Sequence, residues 1–248
     1  MDRAATHSLP LTLVLFVIGG LVGSPALSQI EHEGDVHPNL ADGRLIIEEA
    51  GPIDVETGRV IYTSDFGDLN GGPHETNNPG YDTQDGVLLP DSLLGVEGTG
   101  VLLFWDGSDW LAADPGVSLT IFDALGSATV FTGAGVTNPR GYIDLVSGNG
   151  NLHTHIDMVV NDTAPTGAYL LSLSLFGETS LSDPTPPYDP SAPFTFIINR
   201  GLTDPMFQQA VDARISPQAQ VPFPAWTYVL CAWLLMAVGR RRLVGGRA

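Results

Sequence analysis

Two histidines one residue apart, His153 and His155, with Asp157 next in the same alternation, hold the densest metal-ligand chemistry in this 248-residue chain. In an extended backbone the side chains at i, i+2 and i+4 project from one face. Leu152 to Met158 therefore reads as a strand that presents two imidazoles and a carboxylate outward and turns Leu152, Ile156 and Met158 toward a core. Two imidazoles and a carboxylate suit zinc or a similar divalent ion. A polar strand face that carries two histidines without any ligand is the competing explanation. Three more histidines of the 29–216 region lie outside this strand: His32, His37 and His74. The run His32-Glu33-Gly34-Asp35-Val36-His37 is superficially close to the His-Glu-x-x-His of helical metalloproteases. Its histidines are five positions apart instead of four, and Gly34 and the β-branched Val36 disfavour the helix that motif needs. It can still offer His32, Asp35 or His37 to a site completed by the 153 to 157 strand, with His74 as a further candidate, or form a mobile acidic tail.

The elements that must position these groups read as β. Short apolar or alternating runs cover Arg59 to Tyr62, Gly100 to Trp105, Val117 to Asp123, Ala128 to Thr132, Tyr142 to Val146, Leu152 to Val160, Ala168 to Phe176 and Pro193 to Asn199. Turn signals such as Asp106-Gly107 and Asn149-Gly150 separate them. This spacing predicts an all-β, antiparallel, Ig-like sandwich over residues 29–216. One short helix is expected from Asp204-Pro205, with Met206, Phe207, Ala210, Val211 and Ile215 on one side. The oxygen-rich loops Asp65 to Gly72 and Asp82 to Gly86 make calcium a lesser alternative ion, although neither has the ligand spacing or closing Glu of an EF-hand.

Both ends carry processing signals. An apolar run from Leu11 to Val22, preceded by Arg3 and followed by Ala26-Leu27-Ser28, reads as a signal peptide over residues 1–28. Residues 217–248 hold a linker, Val221-Pro222-Phe223-Pro224, an apolar stretch from 223 to 239 that is just long enough to span a bilayer, and Arg240-Arg241-Arg242. This layout resembles the PEP-CTERM sorting signals of Gram-negative bacteria, with Phe223 in place of the usual Glu between the prolines. The resemblance implies an exosortase-type processing enzyme as partner, a membrane contact through the C-terminal helix before cleavage, and release to the cell surface or an extracellular polysaccharide matrix. A plain uncut membrane anchor is the other option.

Composition is consistent with export. The single cysteine, Cys231, falls in the apolar C-terminal stretch, so the 29–216 region has no disulfide and must rely on an ordinary core. The chain has 28 acidic residues and a net charge of −18, and it contains no lysine. Between residues 29 and 216 the only basic side chains besides histidine are Arg44, Arg59, Arg140, Arg200 and Arg214. Such a field repels nucleic acid and concentrates cations. Solubility alone would also explain it.

His32-Glu33-Gly34-Asp35-Val36, Gly43-Arg44-Leu45, the His153-Thr154-His155 strand and Pro165-Thr166-Gly167-Ala168-Tyr169 together resemble choice-of-anchor M domains and actinobacterial surface-anchored repeats. Asp183, Pro193-Phe194 and Ile197-Ile198-Asn199-Arg200-Gly201 are similar to a Zur-repressed PEP-CTERM family. The resemblance implies a link to zinc homeostasis, and with it metal binding at His153 and His155. No Gly-x-Ser-x-Gly elbow, phosphate-cradling loop or catalytic cysteine is present between residues 29 and 216, so no enzymatic activity is expected. The expectation is an exported, surface-anchored acidic protein that binds divalent metal, zinc first. A structural or adhesive matrix protein with incidental histidines is the alternative.

Overall fold

A computed structural model describes residues 34–48, 51–68 and 72–216. The expected signal peptide, the sorting segment with its spanning helix and His32 all lie outside these residues. Among the described residues, no helix is long and apolar enough to cross a membrane.

The described chain is mostly β with one short helix. In chain order the strands are β1 Pro38–Ala41, β2 Arg44–Ile47, β3 Ile61–Asp65, β4 Glu75–Thr76, β5 Tyr81–Thr83, β6 Leu93–Trp105, β7 Trp110–Ala112 and β8 Ser118–Phe122. They continue with β9 Ala128–Thr132, β10 Gly135–Thr137, β11 Arg140–Leu145, β12 Leu152–Thr154, β13 Asp157–Val160, β14 Gly167–Glu178 and β15 Phe194–Arg200, and the chain then enters α1, Asp204–Ile215. One sheet runs β10-β9-β8-β13-β4 and a larger one β11-β6-β14-β15-β3, with β7 added to β6. Two small ladders, β1-β2 and β12-β5, complete the set.

Alternation in the sequence explains the core. Leu119, Ile121, Phe131, Met158 and Val160 from the first sheet meet Leu94, Val96, Tyr169, Leu171, Leu173 and Leu175 from the second in one apolar cluster. Strand β14 is buried along nearly its whole length because both of its faces are covered. Its Ala168 and Leu170 turn away from that cluster and pack with Ile61, Trp105, Ile197 and the helix residues Ala210 and Val211. Trp110 anchors the helix by donating its indole N–H to the Ala210 carbonyl at 3.0 Å. The helix begins where Asp204-Pro205 predicts, but its inner face differs from the expected one. Met206 is exposed, and Arg214 is buried in its stead.

Two further expectations need correction. The ladder is not wholly antiparallel, because β15 pairs in parallel with β3. These strands are far apart in sequence and no hairpin constrains their direction. Leu152 to Val160 is not one strand either. It breaks at His155-Ile156 into β12, which pairs with β5, and β13, which pairs with β8 and β4 in the first sheet.

Packing also sets an alkaline limit. Burial pushes the hydroxyls of Tyr62 and Tyr81 well above the ordinary tyrosine range, and Tyr169 up to about 12. Tyr142 also reaches about 12, chiefly because it donates a hydrogen bond to Glu178, at 2.6 Å, and secondarily through burial. A raised folded-state value means that the fold favours the protonated phenol, whereas an unfolded chain ionises near about pH 10. The tyrosine contribution to stability is therefore complete below about pH 10 and is lost as pH rises toward about 12. In an alkaline titration, tyrosinate absorbance should rise together with loss of the β circular-dichroism signal. Ionisation of these rings near pH 10 in an intact fold would contradict the packing described.

Candidate metal centre

The site is assembled on the short strand β5. On one side β5 pairs with β12, in the register Leu152 to Thr83, His153 to Asp82 and Thr154 to Tyr81. On its other side Val36 forms a parallel bridge to Tyr81, in which the Val36 N–H donates to the Gly80 carbonyl at 2.9 Å and the Asp82 N–H to the Val36 carbonyl at 3.0 Å. Val36, Tyr81 and Leu152 are buried in the core. Pleating sends their neighbours Asp35, Gly80, Asp82 and His153 toward the opposite face.

On that face Asp35, His153 and His155 each place one potential ligand atom within 4.8 Å of the others. The two imidazole centroids are 5.7 Å apart with their planes inclined at 43°. The three groups differ in access, with Asp35 buried, His155 half-buried and His153 exposed.

Asp35 and His155 are held by their surroundings. The Asp35 carboxylate accepts the Gly80 N–H through Oδ1 at 2.8 Å. A buried carboxylate is costly unless hydrogen bonds or an opposing charge compensate it, and a divalent cation supplies that charge. His155 Nδ1 lies 2.9 Å from the Asn77 carbonyl oxygen. A carbonyl can only accept, so Nδ1 carries the hydrogen and Nε2 is the ring nitrogen that could serve as a ligand atom. Gly80 makes room for this ring, since a Cβ there would sit 2.5 Å from His155 Cε1 and 2.7 Å from Nδ1.

The other candidate residues fall elsewhere. Asp157 is exposed at the start of β13, opposite Phe122 in the first sheet, and is not part of the cluster, because the chain changes sheets at 155–156. His74 is also outside it. Its Nδ1 accepts from Arg200 Nε at 3.3 Å and lies 3.1 Å from Nη2, so that nitrogen is occupied by a guanidinium that can only donate. His37 is half-buried beside Val36, and its carbonyl accepts the Glu48 N–H. The carboxylates of the proposed calcium loops bond to protein donors: Asp65 to Asn199, Asp68 to Thr76 and Asn78, and Asp85 to Asn151.

Two imidazoles and one carboxylate form a donor set for zinc or another borderline divalent ion. Comparison with known proteins finds no matching family model and no matching curated protein.

Proposed function

We propose that this chain is an exported, surface-anchored acidic protein that binds a divalent metal ion, zinc foremost, through Asp35, His153 and His155, in a role linked to zinc homeostasis. The observation that carries this is the convergence of three ligand atoms within 4.8 Å, one of them on a buried carboxylate, from segments more than a hundred residues apart. The net charge of −18 adds long-range attraction for cations. The role is binding, without catalysis. The architecture is an Ig-like sandwich of the two large sheets, exported by the signal peptide over residues 1–28 and held at the membrane by a sorting helix at 223–239 until it is processed as the PEP-CTERM resemblance implies. The similarity to choice-of-anchor M and Zur-repressed PEP-CTERM proteins supports the same conclusion.

Calorimetric zinc titration of the full chain beside a His153→Ala/His155→Ala variant tests it. The wild type should take up one ion saturably, and the variant should lose that binding. Zinc at a hundred times its Kd should also stabilise the wild type by about 2.7 kcal/mol and leave the variant unmoved. Protons compete for the imidazole nitrogens, so affinity should fall on acidification. Equal, weak uptake by both proteins would point to a structural or adhesive matrix protein instead.

A further inference from the structure

We infer that Asp82 is a fourth protein ligand, closing the centre formed by Asp35, His153 and His155; this rests on the metal-binding function proposed above. Asp82 is the direct cross-strand partner of His153 in the β5-β12 ladder. Directly opposed residues of an antiparallel pair share a face, with Cβ atoms about 4.5 to 5.5 Å apart. Burial along β5 places it on the same side. Tyr81 and Thr83 are buried toward the core, and Asp82 between them is half-exposed.

Gly80, two residues earlier, identifies which side that is. The His155 ring lies against its Cα and the Asp35 carboxylate accepts its N–H. The face of β5 thus carries Gly80 and Asp82 in the middle, Asp35 on the flank toward Val36, and His153 and His155 on the flank toward β12. An ion bound by those three lies over β5, on the side where Asp82 projects. The Asp82 carboxylate is outside the group of atoms within 4.8 Å of one another, so joining it requires the Asp82 side chain to turn toward the histidines.

Coordination chemistry favours that movement. Structural zinc is almost always bound by four ligands in a tetrahedron. Two neutral imidazoles and two carboxylates also cancel the dication's charge, which three ligands with one carboxylate do not. Sequence spacing alone associates Asp82 with the oxygen-rich run that ends at Gly86. The ladder register moves it to the histidines.

Cobalt(II), a spectroscopic substitute for zinc, provides the test on the full chain, with zinc competition giving relative affinities. Wild type should show the intense visible bands of four-coordinate cobalt. Asp82→Ala and Asp82→Asn should bind about 10- to 100-fold more weakly, a loss of the size seen when groups supporting a metal site are removed. Their bands should weaken as water enters the sphere. Asp82→Glu should restore a large part of both signals. Wild-type affinity and an unchanged spectrum in folded Asp82→Asn would overturn the assignment of Asp82 while leaving the three-residue centre in place. Failure of the wild type to bind either metal would instead remove the centre itself, and Asp82 with it. Should Asp82→Ala not fold, the isosteric Asp82→Asn decides.

Discussion

Replacing Arg214 by alanine should lower the unfolding free energy by about 3 to 5 kcal/mol, the cost of leaving a buried carboxylate without its counter-ion. Asp54 is fully buried and Arg214 is 5% exposed. Arg214 Nη2 reaches Asp54 Oδ2 at 2.5 Å, and Nε reaches the same oxygen at 3.1 Å. The other Asp54 oxygen accepts the backbone N–H groups of Glu56 and Thr57, at 2.9 and 3.3 Å, and Arg214 Nη1 reaches the exposed Glu56 Oε2 at 2.6 Å, so removal of the guanidinium leaves the buried Asp54 carboxylate without its counter-charge. The Val55 N–H also donates to the Arg214 carbonyl, which ties the last turn of α1 to the 52–58 loop by backbone as well as side chain. Denaturant unfolding of Arg214→Ala measures the loss directly. The paired change Arg214→Met with Asp54→Leu removes both charges and should recover much of it, since a buried pair replaced by packed apolar groups is often neutral or better. A single variant within about 1 kcal/mol of wild type would mean that the pair behaves like a surface contact. Arg44 with Asp189, at 3.7 Å and with both side chains more than half exposed, is such a contact and should contribute about 0 to 1 kcal/mol.

The same pair shows what the sequence conceals. Helical spacing correctly located α1, because Asp204-Pro205 marks its start and Ala210 and Val211 face the sheet. It could not predict that an arginine would be buried on that face, since the reason is an aspartate 160 positions away. The metal centre divides in the same manner. The adjacency of His153 and His155 was legible because the two lie only two positions apart, and their rings stay 5.7 Å from one another although the strand ends at Thr154. Asp157 follows the same alternation and is nevertheless lost to another sheet, because nothing in the two-residue period marks the break at His155-Ile156. Asp35 was already a candidate from its place between two histidines. Its arrival beside the histidines follows from the parallel bridge between Val36 and Tyr81, a long-range pairing that periodicity does not encode. The assignment of β6 is similar: the alternating run is expected to start at Gly100, yet the strand runs from Leu93 to Trp105. Gly95 and Gly98 are needed there because a Cβ would collide with the rings of Phe176 and Phe131.

Gly80 is a further close approach of this kind, and its replacement should separate metal binding from folding more cleanly than loss of a ligand does. A Cβ at position 80 would stand 2.5 to 2.8 Å from three atoms of the His155 ring. Ordinary carbon contacts begin near about 3.5 Å, so the imidazole must retreat by roughly 1 Å. Metal–ligand distances tolerate about 0.2 Å, and a displaced His155 would also lose the hydrogen bond to the Asn77 carbonyl that fixes its tautomer. Gly80→Ala should therefore weaken zinc binding by at least about 10- to 100-fold. The fold should survive, because the backbone there is not left-handed and His155 is half-buried, at the edge of the site. Gly148→Ala is the matched control, since a Cβ at that position meets nothing within 4 Å. Zinc titration and thermal unfolding of the two variants provide the comparison. Loss of affinity in Gly80→Ala alone, with both proteins melting near wild type without metal, is the expected result. Wild-type zinc affinity in Gly80→Ala would mean that the His155 ring can bind metal from another position, and that Gly80 has no part in shaping the centre.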